Sequence, residues 1–396
     1  MLKSYKYRIY PTKSQTELLG KHFGCARWIY NWGLAKRIAA YTKEKKSIGI
    51  FSLINDLPQL KREVGTMWLS DVSSASLQAA LRNLDTAYTA FFRKKAEFPK
   101  FKNKLQRQCY HLPAQCKIDF DTRKIFIPKF TEGIRCVIDR SFSGKIKTCT
   151  VSKTSTGKYF ISVLVDNGIE VPAPKLNLIS SDIVGVDLGL KHFAVLSTGE
   201  KIENPKPLKW AQRKLARVQR QLARKQKGSK NREKCRKRVA LIHERVANRR
   251  RDFQHKLSTR LIRENQAVAV ETLNVVGMQK NHRLARSISD AGWSAFVEML
   301  EYKARWYGKS ILRIGQFEPS SKLCSCGIIN SELKLSQREW TCKSCGVTHD
   351  RDILAANNIK CMALNSQNFL AQGMREFKPV ESGKRRTTKQ ECVGAN

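Results

Sequence analysis

The stretch from Ser320 to Ile359 constrains the fold most, because it holds four cysteines in two close pairs. The pair Cys342-Lys-Ser-Cys345 has the spacing of a zinc knuckle, in which thiolates hold Zn²⁺ tetrahedrally at about 2.3 Å. The pair Cys324-Ser-Cys326 has one intervening residue where a knuckle usually has two. Because four thiolates leave no open coordination position, the spacing predicts a structural zinc site. Four unrelated thiols are the alternative.

An excess of basic residues predicts a polyanionic partner. The 396 residues include 75 lysines and arginines against 33 aspartates and glutamates, a formal net charge of +42 at pH 7. Such an excess repels itself unless a polyanion such as nucleic acid neutralises it. A basic protein with a solvated face is the alternative. Within residues 209–263, however, 21 basic residues stand against three acidic ones, which favours a surface that follows a phosphate backbone.

The sequence carries no signal for secretion or membrane insertion. Its first residues lack the apolar core of a secretory signal. No apolar run approaches the roughly 18 residues that span a bilayer. We therefore expect a cytoplasmic protein with reduced thiols and no membrane partner.

Helix signals begin close to the N-terminus. Thr12 and Gln15 have the spacing of a capping box and predict a helix start. A further helix is predicted at about residues 71–96, with Asp71 or Ser70 as its cap.

Strand signals occur on both sides of these helices. Residues 2–10 alternate between polar and apolar types, which predicts a strand. Residues 107–167 predict two hairpins, with turns near 121–123 and 154–157. We expect the first strand to join these hairpins in a small β-barrel.

The second half of the chain alternates short apolar strands with helices. A β-hairpin is predicted from Ile183, with a first strand that continues through Phe193–Leu196, a turn at Ser197–Gly199 and a return at Glu200–Ile202. Further strands are predicted at Ala267–Glu271 and Ser310–Ile314, and long helices fill residues 208–263. A last helix is predicted from about residue 352 to 364.

Three acidic residues lie on separate elements of this half: Asp187 near the middle of the first strand, Glu271 at the end of a later strand and Asp352 at the start of a helix. Carboxylates from separate elements suit Mg²⁺ or Mn²⁺, and two such ions can hydrolyse a phosphodiester. For Asp187, the alternative is a turn-capping role before Gly189. The phosphate-binding pattern GxxxxGK[ST] does not occur, so nucleotide hydrolysis is not supported.

Motifs along essentially the whole chain resemble the TnpB family, which is carried by IS200/IS605- and IS607-type insertion sequences. In chain order they are YKYRIYPTKSQ, FGCARWIYNWGL, FPKFK, GVDLGLKHFAVLSTG, RRRDFQHKLS, VAVETLNVVGM, PSSKLCSCG, WTCKSCGVTHDRDILAANNI and TTKQE.

The resemblance implies a mixed fold of the α/β class. Its first part is a wedge β-barrel (1–11 and 105–178) with an inserted helical recognition lobe (12–104). A RuvC-like nuclease domain of RNase H fold follows (179–370) and contains a zinc-ribbon insert (319–350). The last part is a disordered tail (371–396).

The resemblance also implies the activity. TnpB proteins are RNA-guided DNA endonucleases, and an RNA from the right end of the transposon guides them to double-stranded DNA beside a short flanking motif. The implied catalytic and Mg²⁺-binding (or Mn²⁺-binding) residues are Asp187, Glu271 and Asp352, with Asp350 as the second choice for the third acid. The implied zinc ligands are Cys324, Cys326, Cys342 and Cys345. We expect a monomer with its RNA, in a prokaryotic cytoplasm and associated with the nucleoid.

Two departures from the family pattern bear on activity. The family usually shows CxxCG at the first knuckle and RDxNAA at the last acid, where this chain has Cys324-Ser325-Cys326 and Leu354. They keep open an alternative, a nuclease-deficient RNA-guided protein that represses transcription or modulates transposition. A transposase acting by itself is a third possibility.

Basic and aromatic residues in the matching segments, together with two arginines of the basic stretch 209–263, are candidates for nucleic-acid binding. The predicted contacts are Tyr5, Arg8, Arg27, Lys100, Lys102, Arg217, Arg224, Arg249, Arg250 and Arg251.

Overall fold

The computed structural model describes residues 1–334 and 336–371. The predicted disordered tail falls outside these residues from position 372 onward. The described chain divides into two compact units. The first contains Met1–Val171 and Leu208–Arg249, and the second contains Pro172–Pro207 and the residues from Arg250. The predicted domain boundaries stay a prediction.

The helices of the first unit begin at the predicted capping box. Thr12 Oγ1 accepts a hydrogen bond from the Gln15 amide at 3.3 Å, and Gln15 Oε1 accepts one from the Thr12 amide at 3.1 Å. These bonds satisfy two amides that the helix itself leaves unpaired. The helices are α1 (Lys13–Glu44), α2 (Ile50–Asn55), α3 (Leu57–Leu60) and α4 (Ser74–Phe92).

The predicted cap of α4 is wrong. The helix begins at Ser74, and Ser73 is its N-cap residue. Asp71 ends a short 3-10 turn and forms an ion pair with Lys21 at 2.7 Å. The Ser73 amide donates to His22 Nε2 on α1 at 3.3 Å. This amide is therefore satisfied by a side chain of another helix and not by a capping side chain at position 70 or 71.

A seven-stranded sheet forms the rest of the N-terminal part of this unit. Its order is β2-β6-β7-β1-β5-β4-β3. Strand β1 lies between β7 and β5 and is antiparallel to both, so the first strand does join the later hairpins. The strands are β1 (Leu2–Tyr10), β2 (Gln108–Pro113), β3 (Lys117–Asp119), β4 (Lys124–Ile127), β5 (Phe130–Val137), β6 (Lys145–Lys153) and β7 (Tyr159–Asp166).

The expected β-barrel is an open sheet. Strands β2 and β3 lie at opposite ends of it and do not pair with each other within the described residues. Strand β3 has only three residues, and β2 packs against α1 and α4. His22 and Phe23 of α1 contact the ring of Tyr110 on β2 at centroid distances of 4.9 and 5.5 Å. Helices therefore cover the end of the sheet that a closed barrel would pair with another strand.

Two long helices follow in sequence, α5 (Pro207–Ala223) and α6 (Lys230–Glu264). An apolar stripe joins α5 to the first part of α6 through Ala211, Leu215, Ile242 and Val246. On α6, Glu244 accepts hydrogen bonds from Lys158 at 2.8 Å and from Thr156 at 3.2 Å. This carboxylate anchors the helix to the β6–β7 hairpin.

The second unit is built on a five-stranded sheet of order β10-β9-β8-β11-β12. Strands β10, β9 and β8 are antiparallel, and β11 is parallel to both β8 and β12. The strands predicted at Ala267–Glu271 and Ser310–Ile314 are confirmed and lie to one side of the strand that carries Asp187. The predicted first strand of the hairpin is wrong in length, because it ends at Leu188 and the chain returns as the antiparallel strand His192–Leu196. The strands are β8 (Ile183–Leu188), β9 (His192–Leu196), β10 (Lys201–Glu203), β11 (Ala267–Glu271) and β12 (Ser310–Ile314).

Helices cover both faces of this sheet. The remaining elements are α7 (Val275–Met278), α8 (Ala285–Ala291), α9 (Trp293–Tyr307), the two-stranded β13 (Glu339–Thr341) and β14 (Thr348–Asp350), and α10 (Arg351–Ala371). Val268 and Val270 of β11 pack on the face with α9, whereas Ala267 and Ala269 pack on the face with Ile359 of α10. Strand alternation thus sorts the residues of β11 between two cores. No helix in the described ranges is long and apolar enough to cross a bilayer.

Helix α10 approaches β8 closely at Gly185. A Cβ at this position would collide with the carbonyl oxygen of Ala356 and lie 2.9 Å from the Cβ of Lys360. The neighbouring residue on β11 is Ala269, which is also small. Only glycine at 185 leaves room for the backbone of α10 to reach the strand.

Replacement of Gly185 by alanine should therefore push α10 away from the sheet. We expect Gly185→Ala to lower the stability by about 2 kcal/mol, because the collision is with backbone that cannot rotate away. Thermal melting measures the loss. Gly20→Ala is the matched control, because nothing lies within 4 Å of a Cβ there and alanine favours the helix. Equal melting temperatures for the two variants would contradict the prediction.

Candidate active site

The structure brings the three predicted acids to one face of the second sheet. Asp187 lies two residues after Gly185 on β8, so it points to the face that α10 covers. Glu271 lies two residues after Ala269 on the parallel strand β11 and points to the same face. Because Val186 and Val270 are paired, the two acids are neighbours across the strands. Asp352, in the first turn of α10, supplies the third carboxylate.

These carboxylates act on one another electrostatically. Burial raises the pKa of Asp187 to about 7, with further contributions from the negative charges of Asp352 and Glu271. Burial also raises the pKa of Glu271. Three ionised carboxylates in this position repel one another, so the site favours a bound proton or a bound cation.

Asp350 and Asp352 have different surroundings. Asp350 caps α10, since its Oδ1 accepts hydrogen bonds from the amides of Asp352 at 3.0 Å and Ile353 at 3.1 Å. Its other oxygen pairs with Lys201. Burial raises the pKa of Asp350, but the hydrogen bonds from Lys201 and Ile353 outweigh that effect and lower it. Both oxygens of Asp350 are thus used within the fold.

Arg338 is a neighbour of the acids that the sequence did not reveal. Its Nη1 donates to Asp352 Oδ1 at 2.8 Å. Arg338 lies between the two cysteine pairs, where no periodicity or motif marks it. It places a positive charge beside the third carboxylate and leaves the second oxygen of Asp352 without a bond to this arginine.

The four predicted zinc ligands form one cluster. Their sulfur atoms all lie within 4.8 Å of one another, with Cys324 3.5 Å from Cys345 and Cys326 3.7 Å from Cys342. Four sulfurs at about 2.3 Å from a tetrahedral Zn²⁺ are about 3.8 Å apart, so these separations fit. Hydrogen bonds from the backbone amides of Cys345 and Ser344 lower the pKa of the Cys342 thiol, which favours the thiolate that binds metal.

Leu354 packs beside this cluster. It is buried together with Cys324, Leu333, Trp340 and Cys342. Leu354, which stands where the family pattern has Asn, thus packs in the apolar core around two of the cysteines. No sequence pattern indicated this contact, because it joins residues of α10 to a segment that begins 30 positions earlier.

Asn358 ties the first cysteine pair to the same helix. Its side-chain amide donates to the carbonyl oxygens of Ser320 and Leu323, both at 2.7 Å. Because Asp352 lies on α10 as well, one helix carries an acid of the site and holds the cysteine segment.

The predicted nucleic-acid contacts lie in several different environments. Arg217 on α5, Arg224 directly after α5 and Arg251 on α6 are exposed. Arg249 is also exposed, with its guanidinium 4.2 Å from the ring centroid of Trp210. Arg250 forms an ion pair with Asp290 at 2.9 Å, so its charge is used within the fold.

The remaining candidates lie in the N-terminal part of the chain. Arg27 and Lys102 line a cavity of about 250 Å³, where Arg27 donates to Gln108 at 2.8 Å. Lys100 pairs with Glu97 at 2.6 Å. The other two make ring contacts, Tyr5 with Phe142 and Arg8 with Tyr10.

Known proteins resemble the chain over nearly its full length. A Streptomyces pristinaespiralis protein named "Putative RNA-guided DNA endonuclease" is 39% identical over 392 residues, which cover 98% of this chain and 96% of that protein. The Escherichia coli K12 protein of the same description, InsQ, is 32% identical over 373 residues and covers 90% and 91%. The chain belongs to the TnpB family. Three TnpB-related profiles match it: "Helix-turn-helix domain" at residues 1–46, "Probable transposase" at 168–282, and "Cas12f1-like, TNB domain" at 293–359.

Solved structures overlap this TnpB chain along most of its length at low structural similarity. The Cas12f1-sgRNA-target DNA complex is 13% identical, covers 91% of this chain and 98% of that chain, and gives a TM-score of 0.48. The mini-RNA-guided endonuclease CRISPR-Cas_phi3 is 9% identical, covers 92% of each chain, and gives a TM-score of 0.49.

The cluster of Asp187, Glu271 and Asp352 should make the stability of this TnpB protein depend on pH. The pKa of Asp187 is about 7 in the folded state and about 4 in an unfolded chain, so its contribution to stability is complete below about pH 4 and is lost as pH rises through 7. Asparagine cannot ionise. Without added divalent cations, the stability advantage of Asp187→Asn over the wild type should therefore be larger at about pH 8 than at about pH 5.5, by on the order of 2 kcal/mol.

Urea unfolding at the two pH values measures this difference. Asp121→Asn, in the exposed turn between β3 and β4, is the control and should show the same offset from the wild type at both. A pH-independent offset for Asp187→Asn would contradict the electrostatic interpretation.

Proposed function

We propose that the chain is an RNA-guided DNA endonuclease encoded by an insertion sequence. The observation that carries this proposal is the cluster of Asp187, Glu271 and Asp352 on the α10 face of the second sheet, where burial, together with the charges of Asp352 and Glu271, raises the pKa of Asp187 to about 7. A strongly perturbed acid among other acids is typical of a catalytic metal site. The names of the two full-length relatives support the same function.

The three carboxylates would hold Mg²⁺ or Mn²⁺. Their oxygens suit a hard cation, and a cation would relieve the repulsion that raises the pKa of Asp187. When bound there, a pair of ions supplies an activated water and a stabilised leaving oxygen for phosphodiester hydrolysis. Arg338 would hold one oxygen of Asp352 through its 2.8 Å hydrogen bond and so orient the other.

The fold of the second unit supports a RuvC-like nuclease domain. Its sheet has the order β10-β9-β8-β11-β12, with an antiparallel β8–β10 meander and parallel β8, β11 and β12. An RNase H fold has this arrangement, and here Asp187 and Glu271 lie on its central strands while Asp352 lies on the adjacent helix α10. We assign the nuclease chemistry to this unit.

Guide RNA and double-stranded target DNA would be the partners. The net charge of +42 attracts polyanions, and the exposed arginines Arg217, Arg224, Arg249 and Arg251 would contact phosphates without reading sequence. Base pairing with the guide would supply the sequence specificity.

The thiol cluster would hold one structural Zn²⁺. The four sulfurs have tetrahedral separations, and the matched TNB domain spans them. The cluster packs against Leu354 and is held through Asn358, so zinc would stabilise the segment that meets the start of α10. Leu354 is one of the two departures that keep the nuclease-deficient alternative open. Because it packs in this apolar cluster, its apolar side chain has a structural role, and this departure by itself does not favour a nuclease-deficient protein.

Removal of the first acid should abolish cleavage. We expect Asp187→Ala to lower cleavage of a matched target by at least about a hundredfold, because a metal ligand is lost, while guide RNA binding is unchanged. A cleavage assay with and without Mg²⁺, together with an RNA filter-binding assay, measures both. Asp121→Ala is the control and should cleave like the wild type.

Two outcomes would contradict this prediction. Retained cleavage by Asp187→Ala would exclude the proposed site. A wild-type complex that binds its guided target but does not cleave it with Mg²⁺ would favour the nuclease-deficient alternative.

The zinc proposal predicts one zinc ion per folded chain. Cys342→Ser should lower the zinc content well below one, because a hydroxyl is a poor substitute for a thiolate ligand. Cys361→Ser is the control, since Cys361 is exposed on α10 outside the cluster. Metal analysis of the purified protein checks both, and a folded wild-type protein without stoichiometric zinc would refute the site.

A further inference from the structure

His349 lies against the thiol cluster without belonging to its four ligands. Its Nε2 is 3.0 Å from the sulfur of Cys324. The four sulfurs form a complete set by themselves. His349 is half-buried on β14, directly before Asp350. Neither the cysteine spacing nor the acid motif accounts for this histidine.

The arrangement favours a hydrogen bond over a fifth metal ligand. The four sulfurs already make the complete ligand set of a tetrahedral zinc. The contact of 3.0 Å between His349 Nε2 and Cys324 Sγ therefore fits an N–H directed at a sulfur acceptor. A ring nitrogen that carries a proton donates, and a thiolate accepts.

The ring of His349 is held in place from the neighbouring strand. His349 is paired with Trp340 across β13 and β14, and their ring centroids are 5.1 Å apart. Trp340 is buried in the same small core as Cys324 and Leu354. The packing thus orients the imidazole towards the sulfur.

We propose that His349 is a positioning residue of the zinc site, which donates its Nε2–H to the Cys324 thiolate and so strengthens zinc binding. This inference rests on the structural zinc of the proposed function. Four thiolates around Zn²⁺ leave a net charge of about −2, and the cluster lies beside the apolar side chains of Leu333 and Leu354. A hydrogen bond to one sulfur spreads that charge, as outer hydrogen bonds do in other metal sites.

The same bond links the zinc site to the acid site along the chain. Strand β14 ends at Asp350, which caps α10, and Asp352 follows in the first turn. A cluster that holds His349 therefore also holds the strand that leads into the third acid. The short Cys324-Ser325-Cys326 turn receives an additional contact at its first ligand.

The test compares two substitutions in the full-length protein. Phe in His349→Phe keeps a ring and removes the donor, whereas Gln in His349→Gln keeps an N–H near the Nε2 position. We expect the phenylalanine variant to bind zinc about tenfold more weakly in competition with a chromophoric chelator, and the glutamine variant to bind within about twofold of the wild type. His282→Phe, at an exposed histidine outside the cluster, should bind like the wild type.

Cobalt spectra identify the ligands in the same proteins. Co²⁺ alone, added to zinc-free protein, should give the absorption of a four-thiolate site in the wild type and in both variants. A mixed sulfur–nitrogen spectrum in the wild type that becomes all-sulfur in His349→Phe would make His349 a ligand and overturn the proposal.

The remaining outcomes also decide the question. Wild-type zinc affinity in His349→Phe, or equally weak binding in the glutamine and phenylalanine variants, would overturn the hydrogen-bonding role and leave the zinc site standing. A wild-type protein that binds no zinc would overturn the zinc site and this inference together. None of these results depends on cleavage, so a failure of this inference can be distinguished from a failure of the nuclease proposal.

Discussion

The close packing of α10 on β8 is the constraint on which the second unit depends. The backbone of the helix reaches the strand because Gly185 has no Cβ to meet the carbonyl of Ala356. This approach brings the first turn of the helix, with Asp352, to the face on which Asp187 and Glu271 lie. Strand pairing makes Asp187 and Glu271 neighbours, and the contact of two backbones at Gly185 adds Asp352 to them.

Helix α10 serves two sites at once. Its N-cap residue Asp350 uses both carboxylate oxygens within the fold, which leaves Asp352 to face the other acids. One turn later Leu354 supports the thiol cluster, and Asn358 holds the backbone before the first cysteine. Zinc would therefore act on the acids indirectly, by stabilising the segment against which the start of this helix is placed.

The acid cluster stands against the general electrostatics of the chain. A net charge of +42 attracts a polyanion, but three neighbouring carboxylates repel one. A cation at the acids, as proposed above, would resolve this conflict, because it would cancel the local repulsion and leave the surrounding positive field to attract a polyanion. Ionised Asp187 is unfavourable without a cation, and the same repulsion would favour the binding of a cation.

The sequence by itself determined the elements whose signals are local. These include the capping box at Thr12, the strands that carry Asp187 and Glu271, and the cysteine spacing, while the family resemblance gave the three acids their catalytic role. Tertiary structure alone decided that the first sheet stays open, that Ser73 caps α4, and that Leu354, Arg338 and His349 contact the two sites. The physical reason is that these outcomes depend on contacts between distant segments. Periodicity and spacing report only on neighbours along the chain, whereas strand pairing and side-chain contacts depend on which surfaces the folded chain brings together.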